Sequence, residues 1–181
     1  MIVLSIAIAV GGCGGSSDSE SPVDAKARAA YVADLNAICA EWAHDVTKTS
    51  QHFEAVEVQA PASERPRVTA ERYDQLADGL DRLVAQARRL LPLDADADTV
   101  ESWLASTEDR ADAEHNLAAA LRARPADAAA VTVAQDSLRV SGSDANAAIA
   151  TLGARECAPR TELVQSGGGG ESDRPDEAGG G

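Results

Sequence analysis

The residues of this chain best suited to chemistry are three histidines, three cysteines and a scatter of carboxylates. Two segments carry a carboxylate-x-x-histidine spacing: Glu41-Trp42-Ala43-His44 and Asp112-Ala113-Glu114-His115. Di-iron helical bundles place Glu-x-x-His on two helices and add one inward Glu from each of two others. The angular argument opposes that reading. At about 100° per residue, His44 falls roughly 160° from the middle of the Tyr31/Leu35/Trp42 stripe and points to solvent. His115 falls at the edge of its own stripe, and the second segment offers Asp where the pattern wants Glu. Glu108, Asp112 and His115 share one helical face at i, i+4 and i+7, which suits weak cation binding or, more plainly, a solvated face. Glu114 lies inside an apolar stripe between Ala111 and Ala118, so it needs a partner. Arg82 and Arg89 qualify by residue type. Tyr31, Trp42 and Phe53 recur every eleven residues on one face, which suits either an apolar cavity or ordinary core packing. The chain holds no nucleophile elbow, P-loop, dinucleotide fingerprint or zinc-type cysteine set. The sequence reading is a non-enzyme with no cofactor, no catalytic residue and no metal site.

The elements that must carry these residues are helices. Ala, Leu, Glu and Arg dominate the central part of the chain, and β-branched runs are few. Four segments show helical spacing. The first runs through Tyr31, Leu35, Ile38, Trp42, Val46, Phe53 and Val56. The second runs through Tyr73, Leu76, Leu80, Leu83, Ala87 and Leu90, and the third through Val100, Leu104, Thr107, Ala111, Ala118 and Leu121. A weaker fourth carries Val131, Ala134, Leu138, Ala145, Ile149 and Leu152, with a kink or break expected at Ser141-Gly142-Ser143. Pro61 and Pro66 separate the first two segments. Pro92 is expected to end the second, Pro125 to start the fourth, and Gly153 to cap its end. The expectation is all-α: an antiparallel up-down four-helix bundle over residues 24–157.

Charge and tails bound the partners. The 181 residues hold 16 Lys+Arg against 30 Asp+Glu, a formal net charge of −14. Such a surface argues against nucleic acid, whose binders cluster Lys/Arg to release counterions, and against a polybasic membrane patch. Residues 14–23 are Gly/Ser-rich and acidic, and residues 158–181 end in SGGGGESDRPDEAGGG. Neither offers enough apolar surface to offset ordering entropy, so both are expected to be disordered.

Met1 to Val10 read MIVLSIAIAV, an uncharged and mostly apolar run. As a helix it reaches about 15 Å, half of a ~30 Å bilayer core, which fits a secretory h-region. Val10-Gly11-Gly12-Cys13 follows, and then a Gly14-Gly15-Ser16-Ser17 tether. This resembles the lipobox of bacterial lipoproteins. The resemblance implies that residues 1–12 are a signal peptide removed before Cys13, and that Cys13 carries diacylglycerol at the head of a linker over 13–23. It also implies that a membrane partner is reached through the lipid, on the extracytoplasmic face. An ordinary signal peptide with Cys13 as a stray thiol is the plainer alternative. If Cys13 carries lipid, Cys39 and Cys157 remain, and outside the cytoplasm such a pair persists as a disulfide. Two free buried thiols are the other reading.

In an up-down bundle the end of helix four returns beside the start of helix one. A straight fourth helix puts Cys157 nearer residue 27 than residue 39, a shortfall of ~18 Å. A disulfide therefore requires the chain to double back after Gly153 or the fourth helix to break at Gly142.

The body is similar to the helical lipoproteins of actinobacteria. The segments that carry the likeness are Tyr31-Val32-Ala33-Asp34-Leu35-Asn36-Ala37-Ile38-Cys39 and Leu152-Gly153-Ala154-Arg155-Glu156-Cys157. That likeness implies no particular activity. Two readings of function follow: an interaction or structural module that docks on an envelope protein, and a small-ligand or lipid-binding protein with a cavity inside the bundle.

Overall fold

The computed structural model describes residues 21–123 and 127–158. Four helices run antiparallel in chain order: α1 Pro22–Gln59, α2 Arg65–Ala87, α3 Ala97–Arg122 and α4 Ala128–Leu152. Short 3₁₀ turns at Asp94–Asp96 and Arg155–Cys157 precede α3 and follow α4. The fold is all-α, with successive helices packed on one another: α1 on α2, α2 on α3, and α3 on α4.

Local chemistry sets the helix ends. Ser21 accepts a hydrogen bond from the Asp24 backbone N–H at 3.2 Å, and Pro22 occupies the first helical position, where its missing N–H is harmless. The expected linker therefore yields Pro22 and Val23 to α1. Pro61 follows the last turn of α1, and Pro66 sits in the first turn of α2. Contrary to expectation, α2 stops at Ala87, and Pro92 lies in the connection beyond it. Asp127 caps α4 by accepting from the Ala130 N–H at 3.0 Å. Pro125 lies outside the described residues.

The expected break at Ser141-Gly142-Ser143 does not occur. α4 is continuous, and the Ser141 hydroxyl donates back to the Ser137 carbonyl at 2.8 Å, satisfying itself within the helix. Ser141 reads as a breaker, yet it is small enough for close approach on the buried helix face, while Gly142 is half-buried with open space beside it. Ala134, Ser141 and Ala145 form the buried face of α4 together with Ile149 and Leu152.

Trp103 is the largest fully buried side chain, 2% exposed, packed in one core with Leu35, Leu80, Leu83, Leu104 and Ile149. Each such side chain contributes about 1.5–3 kcal/mol by leaving water. α3 buries ten residues against five for the longer α1, because α3 has a neighbour on either side. The stripe read along α3 leaves out Trp103 and Leu117, which lie on its Leu121 flank and are buried as well.

Cys39 and Cys157 form a disulfide, and it is the doubling back that makes this pairing reachable. Gly153 takes a left-handed conformation, φ 79°, and its N–H caps the Ile149 and Ala150 carbonyls. The chain then climbs back along α1. The Glu156 N–H donates to Asn36 Oδ1 at 3.0 Å, and Ala154 is fully buried. The bridge spans 118 residues of chain, and the chain-entropy model gives such a long loop about 4–5 kcal/mol of stabilisation.

A continuous α4 predicts the effect of one substitution. A Cβ added at Gly142 meets nothing within 4 Å. Gly142→Ala is expected to raise stability by about 0.5–1 kcal/mol, the helix-propensity gain at an interior position. Urea denaturation checks it, and a loss of stability would mean that α4 bends at Gly142.

Candidate functional site

The candidate residues sort by helix face. Cys13 lies outside the described residues. His44 is exposed on α1, as its angle requires, and Glu41 beside it is exposed too. His115 turns instead into the seam between α2 and α3, so the two carboxylate-x-x-His segments do not face each other. The Glu108/Asp112/His115 trio is not a unit either: Glu108 is held at 2.8 Å by Arg88, just past the end of α2.

What the sequence spacing does build is a ladder across the α2–α3 seam. Asp74 and Asp81 on α2 and Arg88 at its C-cap recur every seven residues, and Glu108, His115 and Arg122 do so on α3. Because the helices are antiparallel, the two series meet in reverse order. Arg122 pairs with Asp74, His115 lies between Asp74 and Asp81, and Arg88 pairs with Glu108. Burial alone would raise the Asp74 carboxyl, but hydrogen bonds from Arg122 and His115, with their charge, outweigh it and hold the carboxyl below its usual value. This seam was readable as two antiparallel heptad series, but only once the partner helices and their direction were known.

Behind the seam sits a polar inclusion. Glu114 is 3% exposed, and Arg110, one turn back on the same helix, donates to it through Nε at 3.3 Å. The expected partners Arg82 and Arg89 are both exposed. Arg110 reaches further, its guanidinium lying 6.0 Å from the Trp42 ring centroid. From α2, Arg72 adds its charge to Glu114 and donates to Ser50 of α1 at 3.3 Å. Glu114 Oε2, Arg72 Nε and Trp42 Nε1 are buried with no hydrogen-bond partner in the structure. Burial pushes the Glu114 carboxyl up to about 6, and the nearby arginines only partly oppose it.

The aromatic trio does not enclose a chamber. Tyr31 and Phe53 are buried, whereas Trp42 is half-buried over Gly79. Beside Trp42 a space of about 140 Å³ opens between α1 and α2, bordered by Glu41, Asp45, Leu76 and Arg82. A larger space of about 540 Å³ is an open groove on the α3–α4 face, bordered by Asp98, Ser102, Ser106, Asp144 and Thr151. No helix among the described residues is long and apolar enough to cross a membrane. No family model, curated protein or solved structure matches the chain.

Glu114 makes stability depend on pH in a definite direction. A carboxyl raised in the fold favours its protonated form there. Its contribution is complete below the unfolded value of 4.5 and is lost as pH rises through about 6. Glu114→Gln removes the ionisation and is expected to be more stable than the parent near neutral pH by about 1–2 kcal/mol. The two proteins should converge below the unfolded value. Urea denaturation across this range checks it, and a variant weaker than its parent at neutral pH would show that the arginines outweigh burial.

Proposed function

We propose that the mature protein is a membrane-tethered extracytoplasmic lipoprotein whose helical body is a non-enzymatic interaction module of the cell envelope. The observation that carries this reading is the use of its three cysteines. Cys39 and Cys157 join in a disulfide, a bond that persists outside the cytoplasm. Cys13 is then the odd cysteine, directly behind a short apolar run and two glycines. Lipid on that thiol accounts for it. Two acyl chains anchor stably where a single chain binds marginally.

The body suits contact more than enclosure. Its interior is filled by Trp103, Leu35, Leu80, Leu117 and Ile149, and the space beside Trp42 is small against the ~300–1,000 Å³ of ordinary ligand pockets. This favours the module over the alternative, a small-ligand or lipid-binding protein with an internal cavity. Residues 24–157 hold 23 Asp+Glu against 14 Lys+Arg, a net negative body that anionic lipid repels, so it is held off the surface and turned outward. An envelope partner with a basic face fits such a surface, and its binding would weaken with salt.

The anchoring step is directly testable. Mass spectrometry of the protein extracted from bacterial membranes is expected to show a mature chain that begins at an acylated Cys13. Cys13→Ala should abolish both the acyl mass and cleavage at that position. A chain that begins elsewhere, or carries Cys13 unmodified, would overturn the lipoprotein reading.

A further inference from the structure

The α2–α3 ladder is matched in charge at both ends and unmatched in the middle. Arg122 answers Asp74 at one end, and Arg88 answers Glu108 at the other. Between them, Asp78 and Asp81 face His115, and the ligand-capable atoms of these three lie within 4.8 Å of one another. Among the described residues no Lys or Arg pairs with Asp78 or Asp81, and His115 Nε2 lies 3.8 Å from Asp81 Oδ2. Asp74, Asp78 and Asp81 also stand at i, i+4 and i+7 on α2, a row of like charges that weakens a helix unless something neutralises it.

The histidine is oriented for the purpose. Its Nδ1 lies 3.3 Å from Asp74 Oδ1, and Asp74 is in turn fixed by Arg122. An Nδ1–H donated to that carboxylate leaves the Nε2 lone pair facing Asp81. This is the arrangement in which a carboxylate behind a histidine sets its tautomer and ring plane for a metal. Asp74 and Arg122 come from different helices, so the orientation depends on the packed seam and not on one helix alone.

We propose that Asp78, Asp81 and His115 bind a divalent cation of the zinc class, with Asp74 as the positioning residue behind His115. One imidazole and two carboxylates form a mixed nitrogen–oxygen set of three protein ligands, which leaves a fourth position to water. Zinc bonds of about 2.0–2.1 Å in tetrahedral geometry bring ligand atoms to roughly 3.4 Å from one another. The exposed side chains of Asp78 and Asp81 supply that closure by rotation about χ1 and χ2. The ion pins α2 to α3 at the one unmatched step of their seam, so binding stabilises the bundle by mass action.

The test is zinc titration, by calorimetry, of the full chain, oxidised at Cys39–Cys157 and alkylated at Cys13. One saturable equivalent is expected near neutral pH. His115→Gln and Asp81→Asn should each weaken it by about ten-fold or more, whereas His44→Gln should leave it unchanged. In the unsubstituted protein, nitrogen-15 NMR should show zinc perturbing His115 at Nε2 and not at Nδ1. That reading stands independently of whether any variant folds. Absence of saturable zinc binding, or binding indifferent to His115→Gln, would overturn the proposal. So would calcium binding as tightly as zinc, because it would mark a general attraction of cations to an acidic surface.

Discussion

Four helices packed in series need their last element tied to their first, and here the disulfide between Cys39 and Cys157 makes that tie. The main helix contacts pass from α1 to α2 to α3 to α4, and the 3₁₀ turn Arg155–Cys157 returns the chain to α1. Around that return the core closes: Leu35, Ile149 and Leu152 join Trp103 and Leu104 in one cluster with both cysteines. Arg28 adds a second tie at the same end through its 2.9 Å ion pair with Asp96, ahead of α3. The far end has no covalent link, and there charges share the sealing with small buried residues such as Val68 and Ala70.

This division explains what was legible. Helix number, direction and approximate span follow from spacing, because an amphipathic helix must place its apolar residues every three or four positions. Leu35, Leu80, Leu83, Leu104 and Ile149 sit where the stripes put them. Trp103 and Leu117 fall on the Leu121 flank of the α3 stripe, and they are buried because α3 packs between α2 and α4. Ser141 misleads for a related reason: a small residue weakens an isolated helix, but on a face packed against another helix it permits close approach, whereas Gly142 beside it has open space and is simply carried in a helix held by packing. The need for doubling back after Gly153 could be read from rise per residue, whereas the choice between that and a break at Gly142 could not.

The polar features were legible as residues and not as groups. Glu114 stands out in the sequence because a carboxylate interrupts an apolar stripe. Its answer comes from Arg110 one turn away and from Arg72 across the interface, and choosing them over Arg82 and Arg89 requires the rotation of α2. By spacing alone His115 belongs with Glu108 and Asp112 on its own helix. In the fold it belongs with Asp74, Asp78 and Asp81 of the neighbour. Side-chain partnership across a helix pair depends on register, which no single-helix pattern contains. The same holds for function: the anchor is suggested by contiguous residues at the N-terminus, while the use of the body's surface depends on which acidic faces remain outward.

Amide hydrogen exchange on the oxidised protein and on protein reduced and alkylated at both cysteines tests the central claim that the disulfide closes the series. The account predicts that reduction strips protection from residues 31–39 of α1 and 149–157 at the end of α4, while the α2–α3 seam over 74–88 and 108–122 keeps most of its own. Unchanged protection over 31–39 would contradict it, because the bundle would then be closed by packing alone. Equal loss across all four helices would contradict it as well, because the bridge would be sustaining the whole fold and not one junction within it.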